Sequence, residues 1–389
     1  MKGLVILGAA IALVCAGVAG AAGGFRVVPS PSPAGATLSG VGFVSAADGW
    51  VVGSQTSTAK DDGGLATLTE HWNGSAWSVV PSVDTLFNDD TLAAVAGVAS
   101  NDVWAVGQTK QTGSKSPVTP LALHWNGTAW SAVPTPSIAV TRASLAGVAA
   151  LGSNNVWAVG TTITGTLVEH WNGAAWSIVP SPSRAGSSSN SLSGIAAIAP
   201  NDIWAVGSSS SVSGVNVVTS TLVEHWNGST WTIVPSPNVA PQRPGLVVRD
   251  LLAGVAAVGP SDVWAVGNSI DVASGSGLPL KSLIEHWNGS AWTIVPSPSP
   301  QGHNTLTGIA AISASDVWAV GFGSTDVSTG VPVDKPELLH WNGSVWSSVA
   351  PPPNVGASDN LLRGVATTSG TVWAAGTALG VGTLVLQGP

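Results

Sequence analysis

Seven copies of a DVWAVG-like hexapeptide, centred on Trp50, Trp104, Trp157, Trp204, Trp264, Trp318 and Trp373, recur along this 389-residue chain. Their spacings are 54, 53, 47, 60, 54 and 55 residues, so one unit repeats with its slack confined to the connections. A second signature, HWNG, appears in six copies around Trp72, Trp125, Trp171, Trp226, Trp287 and Trp341, and a further Trp follows each five residues later, from Trp77 to Trp346. Together the three series account for all 19 tryptophans. A repeat of this size cannot bury its apolar surface alone and must stack on its neighbours.

Within one unit the segments L-x-G-V-A-A, DVWAVG, TLVEHW and AWSIVPSP each have the length and the β-branched or aromatic content of a short strand. Asn-Gly between the third and fourth predicts a hairpin with a type I′ turn. The prolines that end the fourth suit an outer edge, where no ladder donor is needed. Four antiparallel strands repeated seven times predict an all-β fold, a seven-bladed β-propeller. The ends agree with that reading, because the last unit stops before any AWSIVPSP while Phe25-Arg26-Val27-Val28-Pro29-Ser30-Pro31 supplies one at the other end. The N-terminal strand is therefore expected to complete the last blade and remove the open sheet edges, with one domain over residues 25–389.

The unit resembles the kelch or galactose-oxidase-like propeller repeat over nearly all of residues 25–389, in the Gly-ended VWAVG strand, the aromatic before the turn in EHWNG, and the Trp and Pro of AWSIVP. It departs from that pattern in having Val-Gly where kelch repeats carry a double Gly, and His-Trp where they carry a Tyr. No Trp-Asp dipeptide ends a strand, which sets it apart from WD40 repeats, and the S-x-D-x-G-x-T-W turn of Asp-box propellers is missing.

Lys2, the apolar run Leu4 to Val14 and the small residues Ala19-Gly20-Ala21 predict a signal peptide over residues 1–21, and hence a secreted or cell-surface protein. An uncleaved anchor is the alternative. No later stretch is long and apolar enough for a spanning helix, so the mature chain is not expected to be membrane-embedded. Cys15 is the only cysteine and lies inside the signal, which leaves no disulfide for the exported chain. A net charge of −8 without a basic run excludes a nucleic-acid partner, since phosphate backbones select clustered Lys and Arg.

Six histidines, at 71, 124, 170, 225, 286 and 340, occupy equivalent repeat positions and so stand around a ring, too far apart to converge on a metal. They are expected to pack or to bond a neighbouring blade. Glu70, Glu169, Glu224 and Glu285 repeat in the same way and read as architecture. Asp48, Asp102, Asp202, Asp262 and Asp316, replaced by Asn155 and Thr371 in the other units, suit a turn-closing oxygen. Asn73, Asn126, Asn227, Asn288 and Asn342 complete N-x-[ST] sequons that arise from the turn itself. Copper-radical and sialidase-type chemistry both need Tyr, of which the chain has none. No phosphate loop, nucleophile elbow or metal-spaced His pair is present, and no cofactor is expected.

The first-to-second and third-to-fourth connections hardly vary, whereas the second-to-third and blade-to-blade connections do, so one face is plain and the other elaborated. Function on a rigid scaffold gathers in such loops. Three residues before the first-strand leucines stand Gly35, Asp89, Arg142, Ser189, Arg249, His303 and Asp359. Repeat architecture would make them alike, yet they differ in charge and size. Asp89, Arg142, Ser189, Arg249, His303 and Asp359 are therefore the candidate ligand-binding residues, expected at the channel mouth, and Asp90, Asn190, Asp250, Asn304 and Asn360 after them read as turn caps. The function expected is a binding or interaction module for a glycan, an extended polar ligand or a surface protein. A hydrolase or lyase at the channel mouth and a purely structural surface domain are the alternatives.

Overall fold

The computed structural model describes residues 24–58, 64–83, 88–111, 117–214, 216–241, 247–273, 276–277, 280–324 and 333–389. The signal segment lies outside them. Every named element is a β-strand. Each repeat forms an antiparallel four-stranded sheet: the Trp157 unit pairs Ala143–Gly152, Asn155–Thr162, Gly165–Trp171 and Trp176–Ile178 in that order. Five such sheets stand separately, and a sixth of nine strands holds the Trp204 and Trp264 units, joined by a single parallel bridge between Thr219 and Arg249.

The second strands are buried on both faces: Val51, Val52, Ala158 and Val159 are fully enclosed. Such a strand reads as a continuous apolar run instead of an alternating one, which explains VWAVG. The apolar core lies between blades. Each of the seven buried clusters joins two successive units, as where Trp104, Val106 and Ala122 meet Leu145, Val148 and Trp176.

Aromatic rings organise these seams. Every second-strand Trp is met by the outer-strand aromatic of the next blade, with centroids 5.0 to 5.8 Å apart, and the series runs from Trp50 with Trp130 round to Trp373 with Trp77. Phe25 supplies the missing member, packing edge-on against Trp318 at 5.3 Å. Arg26 and Val27 pair with Gln387 and Leu386 in the last unit, and Ser30 meets Thr383 at 2.7 Å just as Ser181 meets Thr166 in an ordinary blade. The N-terminal strand thus completes the last blade, as the repeat arithmetic predicts.

Two local features follow from backbone sterics. The Gly of VWAVG faces a register shift in the first strand, and a Cβ there would lie within 2.0 Å of a first-strand carbonyl in all seven units. No other residue fits. The Asn-Gly turn, in contrast, is not type I′: only the Gly takes positive φ, near 93° at Gly74, and the loop between Trp72 and Trp77 has four residues. Asn73 Oδ1 closes it by accepting from the Ser75 amide, the Ser75 hydroxyl and the Ala76 amide at 2.8 to 3.0 Å. A side chain that satisfies three donors replaces the backbone conformation that the dipeptide alone suggests.

Candidate functional site

At the short-turn end the repeated polar residues bind one another. Each His Nε2 lies 2.8 to 3.0 Å from the Asp Oδ1 at the start of its own second strand, with Asn155 taking that place for His170. The imidazoles also lie on the second-strand Trp of the same blade, centroids 4.1 to 4.6 Å apart. The histidines are structural, but their bond stays within the blade and does not reach a neighbour. The Asp oxygens expected to close the turn bond side chains instead: besides the histidines, Asp202, Asp262 and Asp316 accept the indole N–H two residues on. Burial lowers the pKa of His170, whose partner is an uncharged amide. Among the described residues no group of three or more His, Cys, Asp or Glu is placed to hold a metal.

Behind the histidines, Glu70, Glu169, Glu224 and Glu285 are fully buried. Burial pushes Glu70, Glu224 and Glu285 up to about 8 and Glu169 to about 7, with Asp250 adding to the rise at Glu285. The Trp318 blade carries its carboxyl two residues earlier, at Glu337, which is raised to about 7 by burial while accepting from Ser282 of the preceding blade at 2.8 Å. Among the described residues no cation pairs with these carboxyls, and burial favours their protonated form.

The ring of dissimilar residues is not at the channel mouth. Five of its members lie where a first strand begins against the third strand of the preceding blade. Asp89 Oδ1 accepts from the Leu65 amide at 2.9 Å, Asp359 Oδ1 from the Asp334 amide at 2.8 Å, and His303 Nδ1 from the Leu280 amide at 3.3 Å. Arg249 Nε donates to Val217 O at 3.0 Å, and Arg142 bridges Val118. Ser189 is exposed and pairs with Ser210 of its own blade. Sequence equivalence fixed their common height in the blade but not their radial distance from the axis. The following residues do cap turns: Asn190 receives the Arg184 amide, Asp250 the Val239 amide, Asn304 the Gln301 amide and Asn360 the Val355 amide, at 2.6 to 3.2 Å.

Of the six candidates, the structure brings together His303 and Asp359, joined by Asp334. A pocket of about 320 Å³ on the loop-rich end of the Trp318 blade is walled by Leu280, His303, Thr305, Phe322, Ser324 and Asp334. The Asp334 carboxyl is pushed up first by burial and then by the charge of Asp359, with the Ser324 hydroxyl and His303 opposing the rise. An aromatic wall beside the Asp334 carboxylate and an imidazole offers a stacking surface and acceptors for hydroxyls. Asp334 escaped sequence reasoning because its connection varies in length, so no repeat position marks it. Asp89, Arg142, Ser189 and Arg249 stand apart on other blades.

The residue after the first-strand leucine lines the channel in six blades, as Ser39, Ala93, Ala146, Ser193, Thr307 and Arg363, and Ala253 holds the same position in the seventh. In every blade this is the extra residue of a β-bulge, as where Leu362 pairs with Gly376 and Gly364 with Ala375 and Arg363 is skipped. Arg363 is the one large member and is exposed. Comparing the seven units at this position, instead of three residues before the leucine, is the signal that finds it.

No protein-family model and no curated protein matches the chain. Solved structures with this architecture include YCF48 bound to D1 peptide, at 15% identity over 94% of this chain and 95% of that chain, TM-score 0.54. YCF48 from Cyanidioschyzon merolae follows at 14% identity over 94% and 98%, TM-score 0.53. A polysaccharide lyase, the PL25 ulvan lyase bound to -[GlcA(1-4)Rha3S]-, is 9% identical over 93% and 94%, TM-score 0.53. These likenesses show the fold: the chain is a multi-bladed β-propeller.

Proposed function

We propose that this chain is an exported, kelch-like propeller domain, spanning residues 25–389, that binds a hydroxyl-rich polar ligand, a glycan, on its loop-rich face. The observation that carries the reading is the pocket in which Phe322 stands beside Asp334, His303 and Thr305. Sugars present one apolar face and a rim of hydroxyls, and an aromatic wall with carboxylate acceptors answers both. Neighbours of this fold that bind a peptide or a polysaccharide make a ligand-binding role compatible with the scaffold. A glycan-array screen followed by calorimetry tests it. Phe322→Ala and Asp334→Asn should each weaken binding by about tenfold or more, while Ser261→Ala on the short-turn face leaves it unchanged. Binding that ignores both pocket variants would refute the reading, and the same fractions of secreted protein, sequenced from the N-terminus, check cleavage after residue 21.

The raised Asp334 carboxyl, next to Asp359 and facing His303, favours a second reading in which the same pocket cleaves a glycan. Asp334 would give its proton to the leaving oxygen, and His303 would take one from the attacking water in hydrolysis or from the ring carbon in an elimination. Release of reducing or unsaturated ends from a bound polysaccharide, lost in Asp334→Asn, distinguishes catalysis from binding alone.

A further inference from the structure

We propose that Arg363 forms a separate anion subsite in the loop-rich mouth of the channel, shaped for the carboxylate of a uronic acid unit. The bulge that holds it is common to all blades, and it forms equally with Ser, Ala or Thr at this position. The fold therefore needs no guanidinium there. A bulge turns its extra residue out of the ladder and re-aims the side chain, and here the direction is the channel.

Arg363 reaches a cavity of about 370 Å³ whose other walls come from the Trp50, Trp104 and Trp157 blades. It is the only lining residue from its own blade, so its side chain crosses the mouth. Among the described residues its guanidinium makes no ion pair and no hydrogen bond, although acidic residues outnumber basic ones 20 to 12. Five donors are left to face the cavity. Around them stand the hydroxyls of Thr37, Thr91 and Ser144 and the amide of Gln108. A planar monoanion flanked by hydroxyls matches this set: the carboxylate takes the guanidinium fork in bidentate fashion, and the ring hydroxyls meet the polar arc. The single cation, without a second Arg or Lys or a helix N-terminus, suits a carboxylate better than a dianionic phosphate. A lining that mixes the hydroxyls of Thr37, Thr91 and Ser144 with the apolar surface of Leu92, Ala93 and Leu145 suits a sugar acid, which has a hydroxyl rim and an apolar ring face, better than a peptide end.

The proposal takes the class of ligand from the glycan-binding reading, and it concerns a different site. Tetragalacturonate, a neutral tetrasaccharide such as cellotetraose, and an N-acetylated dipeptide with a free C-terminus are titrated by calorimetry into the secreted protein. The same series is run on Arg363→Ser, Arg363→Lys and Phe322→Ala. Ser is native at this bulge in two other blades, so Arg363→Ser should fold and keep its melting temperature. The result expected is tetragalacturonate affinity reduced by about tenfold or more in Arg363→Ser, partly retained in Arg363→Lys, and weakened by salt. Cellotetraose should respond to Phe322→Ala and not to Arg363. Undiminished tetragalacturonate binding by Arg363→Ser overturns the subsite, as does absence of tetragalacturonate binding by the unaltered protein. Equal capture of the dipeptide, lost in Arg363→Ser, overturns the choice of a uronate. Loss of the cellotetraose response alone would count against the pocket at Phe322 and leave the channel subsite standing.

Discussion

At the short-turn end of the blades, His and Asp or Asn meet at 2.8 to 3.0 Å in six units, and each imidazole covers the same Trp. At the loop-rich end, equivalent positions carry Asp89, Arg142, Ser189, Arg249, His303 and Asp359, and only some of them use their side chains across the seam. The first end is alike because every blade must meet the same packing and hydrogen-bonding demand around its second-strand Trp. The second is free to differ because its backbone bonds are already made by the strands, so its side chains can be chosen for what they face. Uniformity within one chain marks the residues that hold the ring together, and departure from it marks those available for recognition. The Arg363 bulge and the Asp334 pocket are such departures.

The largest expected effect tests whether the repeated end holds the ring together. Deleting Phe25 to Pro31 removes the outer strand of the last blade and the ring that covers Trp318, so the cooperative unfolding transition should be lost or fall by on the order of 10 °C. An unchanged thermal transition would mean that closure contributes nothing. Arg363→Ser and Phe322→Ala, at the other end, should leave that transition in place.

A middle effect comes from pH. The unfolded chain ionises its glutamates near 4.5, whereas the folded chain keeps Glu70, Glu224 and Glu285 protonated to about 8 and Glu169 and Glu337 to about 7. The folded state therefore binds more protons across that interval. Stability is fullest below the unfolded value and declines as pH rises from about 4.5 to about 8, after which it levels off. Denaturant midpoints measured from pH 5 to 8.5 should fall, and Glu224→Gln should flatten the fall and raise the midpoint at pH 8. A midpoint that climbs over this range would contradict the buried neutral carboxyls.

The smallest effect sharpens the role of the repeated imidazole. His170→Ala removes a 2.9 Å bond to Asn155 and a ring stacked on Trp157 at 4.3 Å, which together contribute about 1–2 kcal/mol. Urea unfolding should show that loss with an unchanged slope, and glycan binding should not move. A change in binding would dissolve the division between the two ends.

Much of the fold was legible because periodicity is a one-dimensional signal. Nineteen tryptophans in three registers mark the strands, and the copy of VPSP at residues 28–31 marks the closure. The Gly of VWAVG could be recognised as invariant within the chain, but its reason, a first-strand carbonyl where a Cβ would lie, needs the bulge. The Asn-Gly turn misled because dipeptide preference weighs only backbone conformations, and here the Asn side chain closes the loop. The candidate ring was expected at the channel mouth, whereas Asp89, Arg249, His303 and Asp359 bond the preceding blade.

The sequence by itself determined the repeat, the four strands of each unit, which residues are interchangeable between blades and how the ends meet, since each of these depends on order and spacing along one chain. Only the tertiary structure decided which side chains share a space. His303, Asp334 and Asp359 are separated by 31 and 25 residues and come from two blades, and Arg363 faces Thr37, Thr91 and Ser144 from the far end of the chain. Proximity of that kind is set by the radius, twist and closure of the ring, and by a bulge that moves one residue from the ladder into the channel; none of these leaves a spacing in the sequence to be counted.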